Sequence, residues 1–282
     1  MPARTVIPEY DTERPWGACA PTAWQAMLLA GCHAMPRPLR SLITVLRKPI
    51  KYGVHHALDV TIWGLKLRLL PRGNMSERSL LFSPQLLDRP EFELLDAHLK
   101  PGDTFVDVGA NVGVYTYRAL RSLRGRGRVI AVEPDPEMRR RLQFNLASNA
   151  ATLVEVVPAA MGDRQGHVDL LINLDQRGQN TVVGAQAAAV GGRRVTQPVE
   201  LDTLVHVLTT RGVDRVDALK IDIETHEAPV LRHFFAHAPA SLWPRLVITE
   251  FTAATATEIR ALFAERGYRL ERTTRLNLVF RR

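Results

Sequence analysis

One short segment constrains the fold of this chain more than any other: Asp107-Val108-Gly109-Ala110-Asn111-Val112-Gly113. It closes a strand-like apolar stretch at 104–108 and opens a helical pattern at 112–123. Glycines in such a loop let the backbone turn sharply and approach a ligand, while the helix N-terminus presents unpaired N–H groups to an anion. The segment therefore predicts the first strand–loop–helix unit of a ligand-binding α/β sheet.

The alternation of strand and helix continues toward the C-terminus. Further strands are predicted at 128–133, 154–160, 218–222 and 245–250, with closing strands near Arg269 and Leu276. Helices are predicted between them at 136–149, 202–211, 228–236 and 254–266. This order predicts a Rossmann-like, mostly parallel sheet that binds its ligand at the carboxyl ends of the strands. Residues 166–200 form an insertion, with strands expected at 166–172 and 195–201.

The region before this core divides into two parts. Residues 1–55 contain seven prolines, which break long helices, and are predicted to form an irregular extension. Residues 56–282 are predicted to be one domain, in which 56–100 contribute a hairpin over 58–70 and a helix over 92–99. The core then occupies residues 101–282.

The positive charge of the chain is mostly scattered arginine. The net charge is +8, with a pI near 10.0, and the dispersed pattern predicts no nucleic-acid partner. One local concentration lies beside apolar residues and comprises Arg37, Arg40, Arg47, Lys48 and Lys51. It fits either an interfacial amphipathic helix in peripheral membrane contact or a solvated helix that covers the domain, and the second is favoured.

The apolar run 18–34 does not have the pattern of a signal peptide. Acidic residues precede it, and Gly17, Pro21 and Gly31 interrupt it. It is also too short to span a bilayer as a helix. The two cysteines, Cys19 and Cys32, form no disulfide or zinc pattern. We therefore expect a cytoplasmic protein without an integral membrane segment; the sequence leaves its oligomeric state open.

The charge of the glycine loop discriminates between two ligand classes. A dinucleotide fold requires a second close glycine where this chain has Asn111, and Asp107 would repel a pyrophosphate. The same carboxylate is favourable beside the amino group of a methionine moiety. Glu133, at the end of the second strand, can accept hydrogen bonds from ribose hydroxyls in either class. The loop thus favours S-adenosylmethionine over NAD.

From Leu58 to Phe251 the chain resembles the FkbM family of methyltransferases. The resemblance is carried by Pro101-Gly102-Asp103 before the glycine loop, Val129-Ile130-Ala131-Val132-Glu133-Pro134, Ala160-Met161-Gly162-Asp163, Leu201-Asp202-Thr203-Leu204 and Lys220-Ile221-Asp222-Ile223-Glu224. It implies a seven-stranded methyltransferase sheet with an antiparallel last strand. It also implies methyl transfer from S-adenosylmethionine, usually to a hydroxyl of a sugar or other small metabolite. The cofactor-binding residues expected are Asp107, Gly109, Asn111, Gly113, Glu133, Pro134, Ala160, Asp163 and Asp222.

The catalytic candidates follow the fourth core strand. Asp222, Glu224 and His226 lie where the acceptor hydroxyl would need a base, and the base is left unassigned. Together with Glu250 they also allow a divalent-metal site, but clustered carboxylates more often serve hydrogen bonding, so no metal is predicted. The family generally has glycine where this chain has Thr225, which we expect to alter the acceptor pocket.

Two other functions are compatible with these residues. One is an NAD-dependent oxidoreductase. The other is a non-catalytic binding protein descended from the enzyme, an alternative that Thr225 suggests because it stands where the family generally has glycine. For the methyltransferase, we expect the hairpin and residues 173–194 to bind a hydroxylated small-molecule acceptor.

Overall fold

The computed structural model describes residues 10–177, 180–182 and 193–282. Its N-terminal region contains a 3-10 turn at Arg37–Leu39 and three helices: α1 (Ala23–Ala34), α2 (Arg40–Leu46) and α3 (Lys48–Gly53). The irregular structure predicted for residues 1–55 is therefore wrong for most of residues 23–53, whereas the helix expected over the basic segment 37–51 is confirmed by α2 and α3. The prolines do not break these helices because Pro21 precedes α1, and Pro38 and Pro49 lie in first turns, where no N–H is needed. None of the described helices has the length and apolar character needed to cross a membrane.

The predicted hairpin is confirmed as β1 (Leu58–Ile62) and β2 (Leu65–Leu69), which pair antiparallel. Trp63 and Gly64 both have positive φ, as tight hairpin turns require. Arg68 and Asp59 form a buried ion pair across the hairpin, with Nε and Oδ1 2.7 Å apart. The guanidinium also donates to the carbonyl oxygens of Asp11, Arg14 and Pro15, so it holds the chain before α1 against the hairpin.

Two helices connect the hairpin to the first half of the core: α4 (Met75–Phe82) and α5 (Arg89–His98). The first half consists of β3 (Thr104–Val108), α6 (Val114–Leu123), β4 (Arg128–Val132), α7 (Pro136–Ser148) and β5 (Val154–Val157). These elements match the predicted order, with boundaries displaced by a few residues.

The strand predicted at 154–160 is wrong as a single strand. It is divided into β5 and β6 (Ala159–Gly162) at Pro158, which has no N–H to donate to a sheet. β6 joins β7 (Gly166–Asn173), β8 (Thr181–Val182) and β9 (Arg194–Thr203) in a separate four-stranded sheet of order β6-β9-β7-β8. The predicted strands that flank the insertion are thus confirmed, whereas residues 183–192 lie outside the described part of the chain.

The second half of the core completes the main sheet. Its elements are α8 (Leu204–Thr210), β10 (Ala218–Ile221), α9 (Glu227–His237), β11 (Leu246–Glu250), α10 (Ala256–Ala264), β12 (Arg269–Thr273) and β13 (Asn277–Arg281). The seven strands have the order β12-β13-β11-β10-β3-β4-β5, and the last strand, β13, is antiparallel to β11. The predicted fold class is therefore confirmed.

The topology places a crevice beside β3. From β3 the chain proceeds to β4 and β5 on one side, while β10 and β11 lie on the other. Such a reversal of strand order opens a ligand crevice at the carboxyl ends of the parallel strands. Side chains alternate between two apolar layers, with Phe105 on one face of the sheet and Val106 on the other, so both faces are buried under helices.

Candidate functional site

A cavity of about 450 Å³ lies at the carboxyl ends of β3, β4, β10 and β11. Its volume is in the range of pockets for small molecules and cofactors. The predicted site residues that line it are Asp107, Gly109, Asn111, Glu133, Pro134, Ala160, Asp222, Glu224 and His226. Gly113 and Asp163 are not among the lining residues. The Asp163 side chain is 56% exposed and pairs with Arg164, so its position gives no support to a cofactor contact.

Gly109 lines the cavity and also packs against the backbone of Asp222. Its φ is +78°, and a Cβ at this position would lie 2.9 Å from the carbonyl carbon of Asp222 and closer still to the oxygen. Gly113 has φ +95°, and a Cβ there would collide with Leu142 and Tyr117. The missing side chains of both glycines thus allow the loop to pack on the segment after β10 and on α6 and α7. Their close approach to a ligand stays a prediction.

Asp107 is a buried carboxyl on the cavity wall, with 2% of the residue exposed. One oxygen accepts a hydrogen bond of 2.6 Å from the Thr116 hydroxyl. Burial raises the pKa of Asp107 to about 6, against the opposing effects of Thr116 and Lys220. An ammonium group bound in the cavity would therefore stabilise the ionised form of this buried carboxyl.

Glu133 is held by two backbone N–H groups. Asn111 donates to Oε2 at 2.7 Å and Asp135 donates to Oε1 at 2.8 Å. Asn111 has φ +54°, and its side-chain oxygen accepts from Asn74, which fixes the loop from the side of α4. Burial raises the pKa of Glu133 to about 7. Each carboxylate oxygen keeps a further lone pair that can accept from a ligand hydroxyl.

Asp135 is a site-supporting residue that our sequence analysis missed. It is fully buried and caps α7 by accepting from the N–H of Glu137. It also accepts from Arg177 at 3.1 Å and Asn180 at 2.8 Å, both of which line the cavity. Asp135 thereby attaches the insertion to the rim of the site. An aspartate directly before a proline-initiated helix is a capping signal that could have identified it.

A buried lysine organises the acidic end of the cavity. Lys220 is 2% exposed, and its Nζ lies 3.2 Å from Oδ2 of Asp222. The ammonium also donates to Oδ1 of Asn277 at 2.8 Å and lies over the Tyr115 ring. Burial opposes the charge of Lys220, but Asp222, Asp88 and Glu250 outweigh it and raise the lysine pKa. The sequence analysis gave Lys220 no role, although a lysine inside an apolar strand is itself a signal.

Asp222 and Glu250 form a hydrogen-bonded carboxyl pair. Burial acts to raise the pKa of Asp222, but Lys220 and the hydrogen bond from Glu250 outweigh it and lower that pKa. Burial and the Asp222 charge raise the pKa of Glu250 to about 9. At neutral pH, therefore, Asp222 is ionised and Glu250 keeps the proton of the pair.

Glu224 lies on a strained segment that projects into the same end of the cavity. Glu224 has φ +53° and Thr225 has φ +80°, a region that a β-branched residue rarely adopts. Glu227 closes the segment by accepting from the N–H of Ile223 at 2.8 Å. Burial and the Asp222 charge raise the pKa of Glu224 to about 7, and its carboxyl makes no hydrogen bond to the described residues. His226 lines the cavity, with Nδ1 3.4 Å from the Glu224 carbonyl oxygen.

Thr225 does not line the cavity. The altered acceptor pocket stays a prediction, whereas the positive φ of Thr225 places backbone strain at a position where the family resemblance implies glycine. The hairpin is also not on the wall. The N-terminal wall comes instead from α4 and the turn before α5, through Met75, Ser76, Leu87 and Asp88.

Carboxylate oxygens of Asp222, Glu224 and Glu250 lie within 4.8 Å of one another, close enough to share a metal ion. Lys220 already supplies a positive charge to Asp222, and Glu250 holds a proton. These two features compete with a divalent ion for the same oxygens.

Comparison with family models finds a match to the methyltransferase FkbM domain over residues 107–270, more than half of the chain. The chain belongs to the FkbM methyltransferase family. The match begins at Asp107 and includes the loop of Thr225, so it covers both ends of the cavity. Membership of the FkbM family favours the methyltransferase over the NAD-dependent oxidoreductase.

Similar solved structures include other methyltransferases. An FkbM methyltransferase from Methylobacillus flagellatus KT is 15% identical with a TM-score of 0.43; the match covers 91% of this chain and 57% of that one. A precorrin-6y C5,15-methyltransferase from Geobacter metallireducens GS-15 is 12% identical with a TM-score of 0.42, covering 70% and 89%. An S-adenosylmethionine-dependent O-methyltransferase from Thermotoga maritima is 15% identical with a TM-score of 0.40, covering 68% and 64%. Comparison with curated proteins finds no match.

Proposed function

We propose that this FkbM-family protein transfers a methyl group from S-adenosylmethionine to a hydroxyl oxygen of a small molecule. One observation carries the proposal: a single cavity is lined at one end by Asp107 and Glu133 and at the other by Asp222 and Glu224. The first pair suits the amine and ribose of the cofactor. The second pair supplies the carboxylates that an acceptor hydroxyl needs.

The donor set fits the cofactor. The buried Asp107 carboxyl would bind the amino group, and the Glu133 carboxylate would accept from the ribose hydroxyls. Ala160, Met161 and Leu170 form an apolar wall for the adenine. When bound, S-adenosylmethionine supplies an electrophilic methyl group. Residues of this chain must then orient the acceptor hydroxyl and accept its proton.

Glu224 is the proposed general base. Its pKa of about 7 balances ionisation against proton affinity near neutral pH, and its carboxyl is free of hydrogen bonds to the described residues. Asp222 is less suited to take a proton, because Lys220 and Glu250 already stabilise its charge. Asp222 instead accepts a hydrogen bond from the acceptor or the cofactor and orients it. His226, which also lines the cavity, stays a catalytic candidate.

Calorimetry with S-adenosylmethionine and S-adenosylhomocysteine tests the cofactor assignment. Asp107→Ala and Glu133→Ala should each weaken binding by about tenfold or more, since each removes a charge-assisted contact. Asp163→Ala, which alters an exposed carboxyl outside the cavity, is the matched control and should change binding less than about twofold. No binding to the parent protein, or equal binding by all three variants, would contradict the proposal.

Release of S-adenosylhomocysteine in the presence of hydroxylated sugars, glycolipid precursors and polyketide-type alcohols tests the acceptor class. With an accepted substrate, Glu224→Gln should lower kcat by about 100-fold or more while cofactor affinity is kept. The parent rate should rise with pH through about 7, as Glu224 ionises. Tight cofactor binding without transfer to any of these alcohols would instead support the non-catalytic alternative. The small-molecule acceptor and the cytoplasmic setting stay predictions.

A further inference from the structure

The three N-terminal helices expose apolar side chains that a folded chain would ordinarily bury. Nine large hydrophobic residues are exposed in the described part of the chain, and six of them lie on or between α1 and α3. These six are Trp24, Met27, Leu39, Leu42, Val45 and Tyr52, with exposed fractions from 46% to 68%. Such concentration in one short region marks an interaction surface rather than scattered surface residues.

The exposed residues of α1 lie on the side of that helix where α2 packs. Trp24, Met27 and Gly31 follow one another at helical spacings of three and four, and therefore share a face. A Cβ at Gly31 would lie 3.8 Å from Cδ1 of Leu46, the last residue of α2. The exposed side of α1 thus lies beside the end of α2. We call the six exposed apolar residues of this region together the N-terminal face (Trp24, Met27, Leu39, Leu42, Val45 and Tyr52).

The charge around the N-terminal face has a single sign. Residues 15–58 contain five lysines and arginines and no aspartate or glutamate. The five are Arg37, Arg40, Arg47, Lys48 and Lys51, and none of them forms an ion pair with a described residue. The nearest acids in sequence and on α4 are Asp59 and Glu77, both buried in ion pairs with arginine. The face therefore lacks carboxylates that would neutralise it.

Neighbouring helices add to this charge. Burial lowers the pKa of Arg78 on α4, and the like charge of Arg47 lowers it further. Tyr52 lies among Lys51, Arg47 and Lys48, which lower its pKa through a hydrogen bond and through charge. Two arginines beside each other without a carboxylate provide donors suited to a phosphate.

We propose that the N-terminal face docks this protein on the surface of a membrane that contains anionic lipids. Unpaired lysines and arginines match the lipid phosphates, while Trp24, Tyr52 and the aliphatic side chains enter the headgroup region. Trp and Tyr are the residues that favour this interface. The inference does not depend on the proposed cofactor or acceptor.

The docking would bring the cavity close to the lipid surface. α4 is anchored to α1 because Leu81, near its end, accepts a hydrogen bond of 2.8 Å from His33. Gln85, just after α4, donates to the carbonyl oxygens of Cys32 and Met35. The first residue of α4, Met75, lines the cavity. α4, about 12 Å long, therefore connects the C-terminal end of α1 to the wall of the candidate active site.

Vesicle flotation with the full chain tests the docking. The parent should float with vesicles of phosphatidylcholine containing about 30% phosphatidylglycerol, should not float with pure phosphatidylcholine, and should be released at about 0.5 M salt. The combined Arg47→Gln, Lys48→Gln and Lys51→Gln variant should bind at least about tenfold more weakly. The matched control, Arg121→Gln with Arg126→Gln and Arg269→Gln, removes three exposed cations elsewhere and should stay within about twofold of the parent.

Two further measurements locate the contact. The combined Met27→Ser, Leu42→Ser and Val45→Ser variant, all at exposed positions, should keep its melting temperature and lose vesicle binding. Brominated lipids should quench the tryptophan fluorescence of the parent, and Trp24→Phe should remove most of that quenching. Absence of flotation, equal loss in the control variant, or quenching unchanged by Trp24→Phe would overturn the proposal. So would a dimer at equilibrium sedimentation that the serine variant abolishes, because a second copy would then cover the face.

Discussion

The carbonyl group of Asp222 occupies the space that a side chain at Gly109 would require. The two residues directly follow neighbouring parallel strands, β10 and β3, and a Cβ at Gly109 would lie 2.9 Å from the Asp222 carbonyl carbon. This contact fixes the cofactor loop relative to the acidic end of the cavity. The distance between the two halves of the proposed site is therefore set by backbone packing rather than by a ligand.

Gly109→Ala should destabilise the protein by about 3 kcal/mol or more, because it combines a positive φ with a collision against backbone. Gly125→Ala provides a matched control: its φ is +79°, against +78° for Gly109, and no atom lies within 4 Å of its Cβ position. Its cost should be about 1 kcal/mol, from backbone conformation alone. Urea denaturation measures both values. Equal losses in the two variants would show that the Asp222 contact does not matter.

Thr225→Gly should stabilise the protein by about 1 kcal/mol. The φ of +80° is costly for a β-branched residue and not for glycine, and the Thr225 side chain makes no hydrogen bond to the described residues. At Thr210, an exposed helical residue of α8, the same substitution should destabilise by about 0.5 kcal/mol. Thermal unfolding compares the two. A less stable Thr225→Gly variant would mean that the threonine side chain makes an essential contact.

The periodicity of apolar residues predicted most of the fold. Strands such as Thr104–Val108 are short apolar runs bounded by turn residues, and their carboxyl-terminal residues had to meet at one edge of a parallel sheet. From that rule alone, Asp107, Glu133 and Asp222 were expected to lie close together, and all three line one cavity in the structure. Asp163 follows β6, which lies in the smaller sheet after Pro158, and does not line the cavity, so its cofactor role stays a prediction.

Contacts that depend on distant side chains were beyond the sequence pattern. Lys220 is bound by Asn277, 57 residues later, and its ammonium lies over the ring of Tyr115 on α6. No local spacing encodes such a network, and its effect on Asp222 appears only when burial is known. The irregular structure expected for residues 1–55 was wrong over α1 for a different reason: the density of proline does not decide whether a helix forms, because the effect of proline depends on its position in the helix.

Glu250→Gln should make stability less dependent on pH. Burial and Asp222 raise the Glu250 pKa from 4.5 to about 9, so between these values the folded state holds a proton that the unfolded state has released. Stability contributed by this group is thus lost as pH rises from about 4.5 to about 9. Since the amide stays neutral and can still donate to Asp222, the variant should gain about 1 kcal/mol or more over the parent at pH 9 and little at pH 5. Urea denaturation across this range measures the difference, and Glu265→Gln, at an exposed carboxyl, should follow the parent curve.

Removal of divalent ions should leave methyl transfer within about twofold, despite the three carboxylates within 4.8 Å. Lys220 lies 3.2 Å from Asp222 and supplies the positive charge that a metal would bring, while Glu250 keeps a proton that a metal would have to displace.

Lys220→Met removes this cation and leaves carboxylates facing one another. It should therefore lower kcat by about tenfold or more and raise the pKa of Asp222. The same variant should acquire measurable Mn²⁺ binding by calorimetry, since the competing charge is gone. Loss of parent activity in EDTA, restored by Mg²⁺ or Mn²⁺, would establish a metal-dependent site and contradict the role given to Lys220.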